Sequence, residues 1–175
     1  PSKVVTEFHK DLLSSMKTAK NISLKKRYKR IAPQIKKSFH FHLMTQVSAG
    51  SFWRKASNEQ AENLISAFTH FTISNYVSRF DRYTGQLFLT KSQEPGPQKT
   101  ILVKTQIIIS KSKLIDITYV TKQIKDKWGI IDVLLGSGIS ELAVKRSEYQ
   151  QILKNNGIDG LIATLNAKAD QLLSK

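Results

Sequence analysis

The chain has 175 residues, a formal net charge of +15 and no cysteine. A chain of this length suits one domain, which on folding buries about 70% of the surface its unfolded form exposes, and the missing thiols exclude disulfides, cysteine nucleophiles, thiolate zinc sites and iron–sulfur clusters. Apolar runs such as Ile107–Ile109 fall far short of the roughly 18 residues that span a bilayer.

Val4, Val5, Phe8, Leu12 and Met16 recur at helical spacing after a capping residue at Ser2, which predicts a helix over residues 3–18. Ser23 caps a second helix with Leu24, Tyr28 and Ile31 on one face, and Pro33 either interrupts that helix or starts the next turn. A short helix over Phe41–Ala49 stops at Gly50. Ser57 and Gln60 have the form of a capping box that opens the longest helical pattern, with Leu64, Ile65, Phe68, Phe71, Thr72, Tyr76, Phe80 and Tyr83 on adjoining turns. Ending near Gly85, that helix would be on the order of 39 Å long.

The period then changes from 3.6 to 2. Gln86–Ser92, Thr100–Ile109, Leu114–Ile124 and Lys127–Leu135 read as four strands with short links, an antiparallel meander. Ile115, Ile117 and Tyr119 alternate with Asp116 and Thr118, so one face is apolar and the other wet, and the fourth strand presents Ile131, Val133 and Leu135 together. Gly136-Ser137-Gly138 ends the sheet, a helix runs over 140–154, and Asn155-Asn156-Gly157 stops it before a last helix over 159–173. The fold class is α+β, a single domain over 1–175 in which N-terminal helices, one long central helix and two C-terminal helices cover one face of a curved four-stranded sheet.

No acidic residue occurs between Asp11 and Glu59, whereas Lys and Arg crowd that segment, above all Lys25-Lys26-Arg27-Tyr28-Lys29-Arg30. Such a field attracts nucleic acid, acidic lipid headgroups or an acidic protein within a Debye length of about 8 Å. Base stacking needs exposed aromatic platforms, but the aromatic residues here keep the spacing of a core, and no helix-turn-helix, RRM or KH signature occurs, so nucleic acid is not the expected partner. His40 and His42 have no carboxylate within about 15 residues to complete a metal shell, and neither metal nor cofactor is expected. Walker A, G-x-G-x-x-G and G-x-S-x-G patterns are missing, and no catalytic residue is assigned. The alternative is a small-molecule enzyme on a cone-shaped α+β scaffold, with Asp81, Asp132 or His70 in its cavity.

Trp128-Gly129-Ile130-Ile131-Asp132-Val133-Leu134-Leu135-Gly136-Ser137-Gly138-Ile139-Ser140, then Arg146-Ser147-Glu148-Tyr149 and Asn156-Gly157-Ile158-Asp159-Gly160-Leu161-Ile162, resemble the C-terminal signature of the MlaC-like (toluene-tolerance) family of periplasmic lipid carriers. The Val4-Val5 helix, Phe52-Trp53-Arg54 before Ser57-Asn58-Glu59-Gln60, and Phe71 through Tyr76 follow the same family order. Tyr76 to Gly85 and Ile139 to Tyr149 look closer to its hopanoid-associated, HpnM-like branch. One departure is visible: where the family tends to have an Asp after the Phe that ends the second helical region, His40 follows Phe39.

The resemblance implies a non-enzymatic carrier, monomeric and periplasmic with its signal peptide already removed, which takes a phospholipid or a hopanoid- or sterol-like lipid between inner- and outer-membrane transport complexes. Moving a 16-carbon chain into water costs about 12 kcal/mol, so a carrier needs a dry cavity. The long helix offers Phe68, Phe71, Tyr76, Phe80 and Tyr83, and the sheet offers Val103, Ile107, Ile117, Tyr119, Ile131, Val133 and Leu135. The same side chains could instead meet one another in a filled core. Lys25, Lys26, Arg27, Lys29 and Arg30 are assigned to transient docking on anionic headgroups or an acidic transport partner.

Overall fold

The computed structural model describes residues 1–174. Five helices, α1 (Ser2–Lys17), α2 (Leu24–Ser38), α3 (Phe41–Ala49), α4 (Asn58–Arg79) and α5 (Glu141–Leu173), accompany β1 (Leu87–Gly96), β2 (Thr100–Ser110), β3 (Lys113–Ile124), β4 (Lys127–Leu135) and β5 (Ile139–Ser140). The sheet order is β1-β2-β3-β4-β5, every neighbour antiparallel. The meander therefore has five strands rather than four. Gly136 and Gly138 take positive φ values of 54° and 101°, conformations open to glycine, and this turn folds Ile139 back onto Leu135 instead of ending the sheet.

Other boundaries move for identifiable reasons. Pro1, not Ser2, occupies the N-cap position of α1. Pro33 lies inside α2, which runs through it without a break. Leu87 to Gly96 pair with β2 straight through Pro95; β1 is an edge strand, where a residue without an N–H is tolerated. Helix α4 opens on the Ser57–Gln60 capping box but stops at Arg79, a turn and a half before Gly85. Its last carbonyls are taken by a side chain from another helix: Arg27 Nη2 donates to Val77 O at 3.0 Å and to Phe80 O. In α5 the stop expected over three residues shrinks to Gly157 alone, whose φ of 66° and ψ of −168° divide the helix into two arms.

Helices α1, α2, α3 and α5 touch the sheet through β4 or β1, while α4 packs on α2, α3 and α5. Chain direction alternates so that the links at 18–23, 80–86, 111–112 and 136–138 gather at one end of the molecule. At the opposite end the interface is filled. Phe39 bridges to Ile130, and Val5, Phe8, Ile35, Val103 and Ile130 have no solvent exposure. His40 Nε2 lies 3.1 Å from Lys122 O and 3.2 Å from Lys127 O, which pins the start of α3 to the β3–β4 hairpin.

Candidate functional site

Toward the end where the four links gather, sheet and helices part around a cavity of about 450 Å³. Period 2 places Ile107 and Ile109 of β2, Ile115, Ile117 and Tyr119 of β3, and Val133 and Leu135 of β4 on one face. Register joins them into one surface: Ile107 pairs with Ile115, Ile117 with Leu135, and Tyr119 with Val133. The last two turns of α4 supply Thr72, Asn75, Tyr76 and Arg79, Phe80 follows at the helix end, and Met16, Phe39, Met44 and Leu142 add to the lining. Such a volume lies within the range of small-molecule sites, about 300–1,000 Å³.

The floor is aromatic. Phe8 lies beneath it, edge-on to Phe39, Tyr76 and Tyr119 at centroid distances of 5.1, 5.2 and 6.1 Å. Tyr119 Oη and His9 Nε2 share a hydrogen bond of 2.9 Å. Burial pushes the His9 imidazole down to about 4, and burial raises the Tyr119 and Tyr76 hydroxyls above the usual phenol range. At neutral pH the floor therefore carries dipoles and no charge.

Charges sit at the rim. Asp81 meets Arg82 at 3.5 Å and Glu141 meets Lys145 at 3.5 Å, all four lining the opening with Arg79 and Gln86. Asp132 also lines the cavity, but its oxygens are occupied. Oδ1 accepts from the backbone N–H groups of Val133 at 2.7 Å and Leu142 at 3.0 Å, and Oδ2 accepts from Ser140. It clamps β4 to the start of α5, where Ser140 Oγ in turn caps the Ala143 N–H. His70 lies elsewhere, between Tyr28 and Asp170 on α2 and α5. Of the three candidates for acid–base work, then, the cavity brings together two carboxylates, one exposed and one bound by donors, without the histidine.

Tyr76, Phe80, Ile107, Ile117, Tyr119, Val133 and Leu135 line the cavity; Phe68, Phe71, Tyr83, Val103 and Ile131 do not. Phe68 is one helical turn before Thr72 and packs between Phe41 and Tyr149 in the helix layer. Phe71 packs at the margin of the core. Tyr83 lies beyond the end of α4, with Lys17 Nζ 5.1 Å from its ring centre. Val103 pairs with Tyr119 and is fully buried in the filled half. A β-bulge accounts for Ile131: Val120 pairs with Asp132 but Thr121 with Ile130, so the alternation slips and Ile130 is buried in its place. Ile109 and Ile115 extend the alternation of Ile107 and Ile117 and were legible as such. Met16 arrives from α1, Phe39 from the extended link after α2 and Met44 from α3, with no shared pattern.

Among the basic residues, Lys25, Lys26, Lys29 and Arg30 are exposed, but Arg27 is 2% exposed and is spent on the end of α4. It leaves the docking set.

The family model described as MlaC protein matches residues 6–167. The intermembrane phospholipid transport system binding protein MlaC of Haemophilus influenzae is 26% identical over 126 residues, which cover 70% of this chain and 58% of that protein, so the match spans under two thirds of the relative. A phospholipid-binding protein from Ralstonia solanacearum, solved with a phospholipid, superposes with a TM-score of 0.83 at 20% identity, over 99% of this chain and 98% of that one. At that identity the superposition speaks for the fold. With most of the chain inside the family model, the chain belongs to the MlaC protein family.

Proposed function

We propose that the protein is a non-enzymatic lipid carrier that holds the hydrocarbon of a phospholipid in the cavity between sheet and helices, residues 1–175 acting as one lipid-binding unit. The observation that carries this reading is the partition of the cavity: isoleucine, leucine, valine and uncharged aromatic walls inside, charged side chains at the rim, and one further carboxylate, Asp132, whose oxygens are taken by three donors. Exposing a 16-carbon chain to water costs about 12 kcal/mol, a cost that an apolar cavity of about 450 Å³ lowers by covering hydrocarbon. The headgroup then stays at the rim among Arg79, Arg82 and Lys145. The names of the relatives support the phospholipid. A hopanoid or sterol is the finer alternative suggested by the HpnM-like stretches, and a hydrocarbon wall accepts either. Shuttling as a monomer between inner- and outer-membrane complexes in the periplasm belongs to the same reading. Among the described residues no helix is long and apolar enough to cross a membrane.

The test is to purify the protein from its native organism, extract it with organic solvent and identify the released lipid by mass spectrometry. Stoichiometric phospholipid supports the reading and a polycyclic terpenoid redirects its specificity. Protein that yields no lipid and takes none from labelled vesicles refutes it.

A further inference from the structure

The end of the molecule at which the cavity opens carries two features that lining a cavity does not require. The first is exposed hydrocarbon. Leu87, Leu114 and Ile139 are 52%, 53% and 59% exposed, and Leu89 and Val144 lie within a few residues of that end; Val47 on α3 is the remaining large apolar side chain so exposed among the described residues. Register sets Leu87, Ile108 and Leu114 in one row across β1, β2 and β3, and places Ile139 beside Leu135 of the cavity wall. Leu87 and Leu114 point away from the cavity, since their neighbours Phe88 and Ile115 face inward.

The second feature is a cationic collar. Lys17 ends α1 and Lys20 follows it, Lys25 and Lys26 open α2, Lys111 lies in the β2–β3 turn and Lys113 begins β3. The Arg27 contacts to Val77 and Phe80 fix the start of α2 at this end. The acidic residues beside it are already engaged: Asp81 with Arg82, Glu141 with Lys145, and Asp116 with Gln106 and Lys91.

We infer that this end is a membrane-docking surface, on which Leu87, Leu114 and Ile139 enter the interface of an anionic bilayer while the surrounding lysines meet its headgroups, so that lipid crosses between bilayer and cavity without passing through bulk water. Exposed aliphatic side chains beside lysines that form no ion pair among the described residues match the two layers of such a surface, acyl boundary inside and negative headgroups outside. The inference rests on the carrier reading for its purpose but on separate residues for its evidence.

The test is flotation of the purified protein with vesicles of phosphatidylcholine alone or mixed with phosphatidylglycerol, together with the rate of labelled-lipid transfer to the same vesicles. Two variants are compared: Leu87→Ser/Leu114→Ser/Ile139→Ser, none of whose residues lines the cavity, and Lys17→Gln/Lys20→Gln/Lys111→Gln/Lys113→Gln. Wild type floats with the anionic vesicles, and release follows as salt rises from about 0.1 M to 1 M and the Debye length contracts from about 10 to 3 Å. The apolar variant keeps its extractable lipid but transfers about tenfold more slowly, and the lysine variant loses the salt dependence. Wild type that stays off anionic vesicles at low salt, an apolar variant that transfers at the wild-type rate, or transfer that takes place only with an added membrane protein would overturn the inference. Protein that floats yet never holds lipid leaves the docking surface standing and refutes the carrier.

Discussion

Acid should loosen the cavity floor through one residue, His9. Its ring is 4% exposed, packs on Phe8 and Phe88 and shares a hydrogen bond with Tyr119, so adding a proton places a charge in a site built for a neutral group. Burial pushes the folded imidazole down to about 4, against 6.5 for a solvent-exposed histidine side chain. Because the folded value is the lower one, the unfolded chain binds more protons between the two. The contribution is complete above pH 6.5, declines as pH falls toward 4, and is gone below it. At about 1.4 kcal/mol per pH unit the gap amounts to about 3 kcal/mol, a large fraction of the stability of a small domain. Urea unfolding of wild type and His9→Gln at intervals from pH 7 to pH 4 measures it. Carboxylates such as Asp11, which burial pushes the opposite way, are common to both proteins and cancel in the difference. Wild type should lose about 3 kcal/mol more than the variant over that range. Parallel pH profiles would refute the argument.

Arg27→Met removes the donor that closes α4 and leaves the Val77 and Phe80 carbonyls unpaired in a buried place; a loss of about 2–3 kcal/mol in urea unfolding is expected, with faster amide exchange in the last turn of α4. Gly129→Ala puts a Cβ within 2.7 Å of the His40 ring, which two carbonyls hold in place, so the midpoint of unfolding should fall by the equivalent of about 1–3 kcal/mol, and His40→Ala in the same chain should restore part of it. Ile117→Asp sets a carboxylate in the centre of the apolar sheet wall and should cut lipid uptake from vesicles by tenfold or more.

The periodicities carried the α+β layout because each element buries one face, and that constraint is written locally in the residues. What escaped was set by contacts between distant segments. Nothing near Arg79 says that α4 ends there; Arg27, some fifty residues earlier, settles it. Ile131 obeys the alternation of its own strand and still leaves the cavity face, because the bulge belongs to the pairing of β4 with β3. Phe68 and Val103 have the right type and phase but the wrong depth, for a periodic pattern tells which face a residue takes and not how far along the element the core stops being filled. Arg27 shows the same limit for charge: within a basic run, the one side chain that folds inward has no local mark.

In the carrier reading, an acyl chain occupies the space lined by Ile107, Ile117, Tyr119 and Leu135. Loading the protein with a phospholipid that carries a photoactivatable group midway along one chain, irradiating, and mapping the cross-linked peptides by mass spectrometry addresses it directly. Adducts are expected on β2, β3 and β4 at these inward-facing residues and on the last two turns of α4. Adducts confined to the outer-face residues Leu87, Leu89 and Leu114, or bound lipid that never labels the inward-facing strand residues, would contradict it.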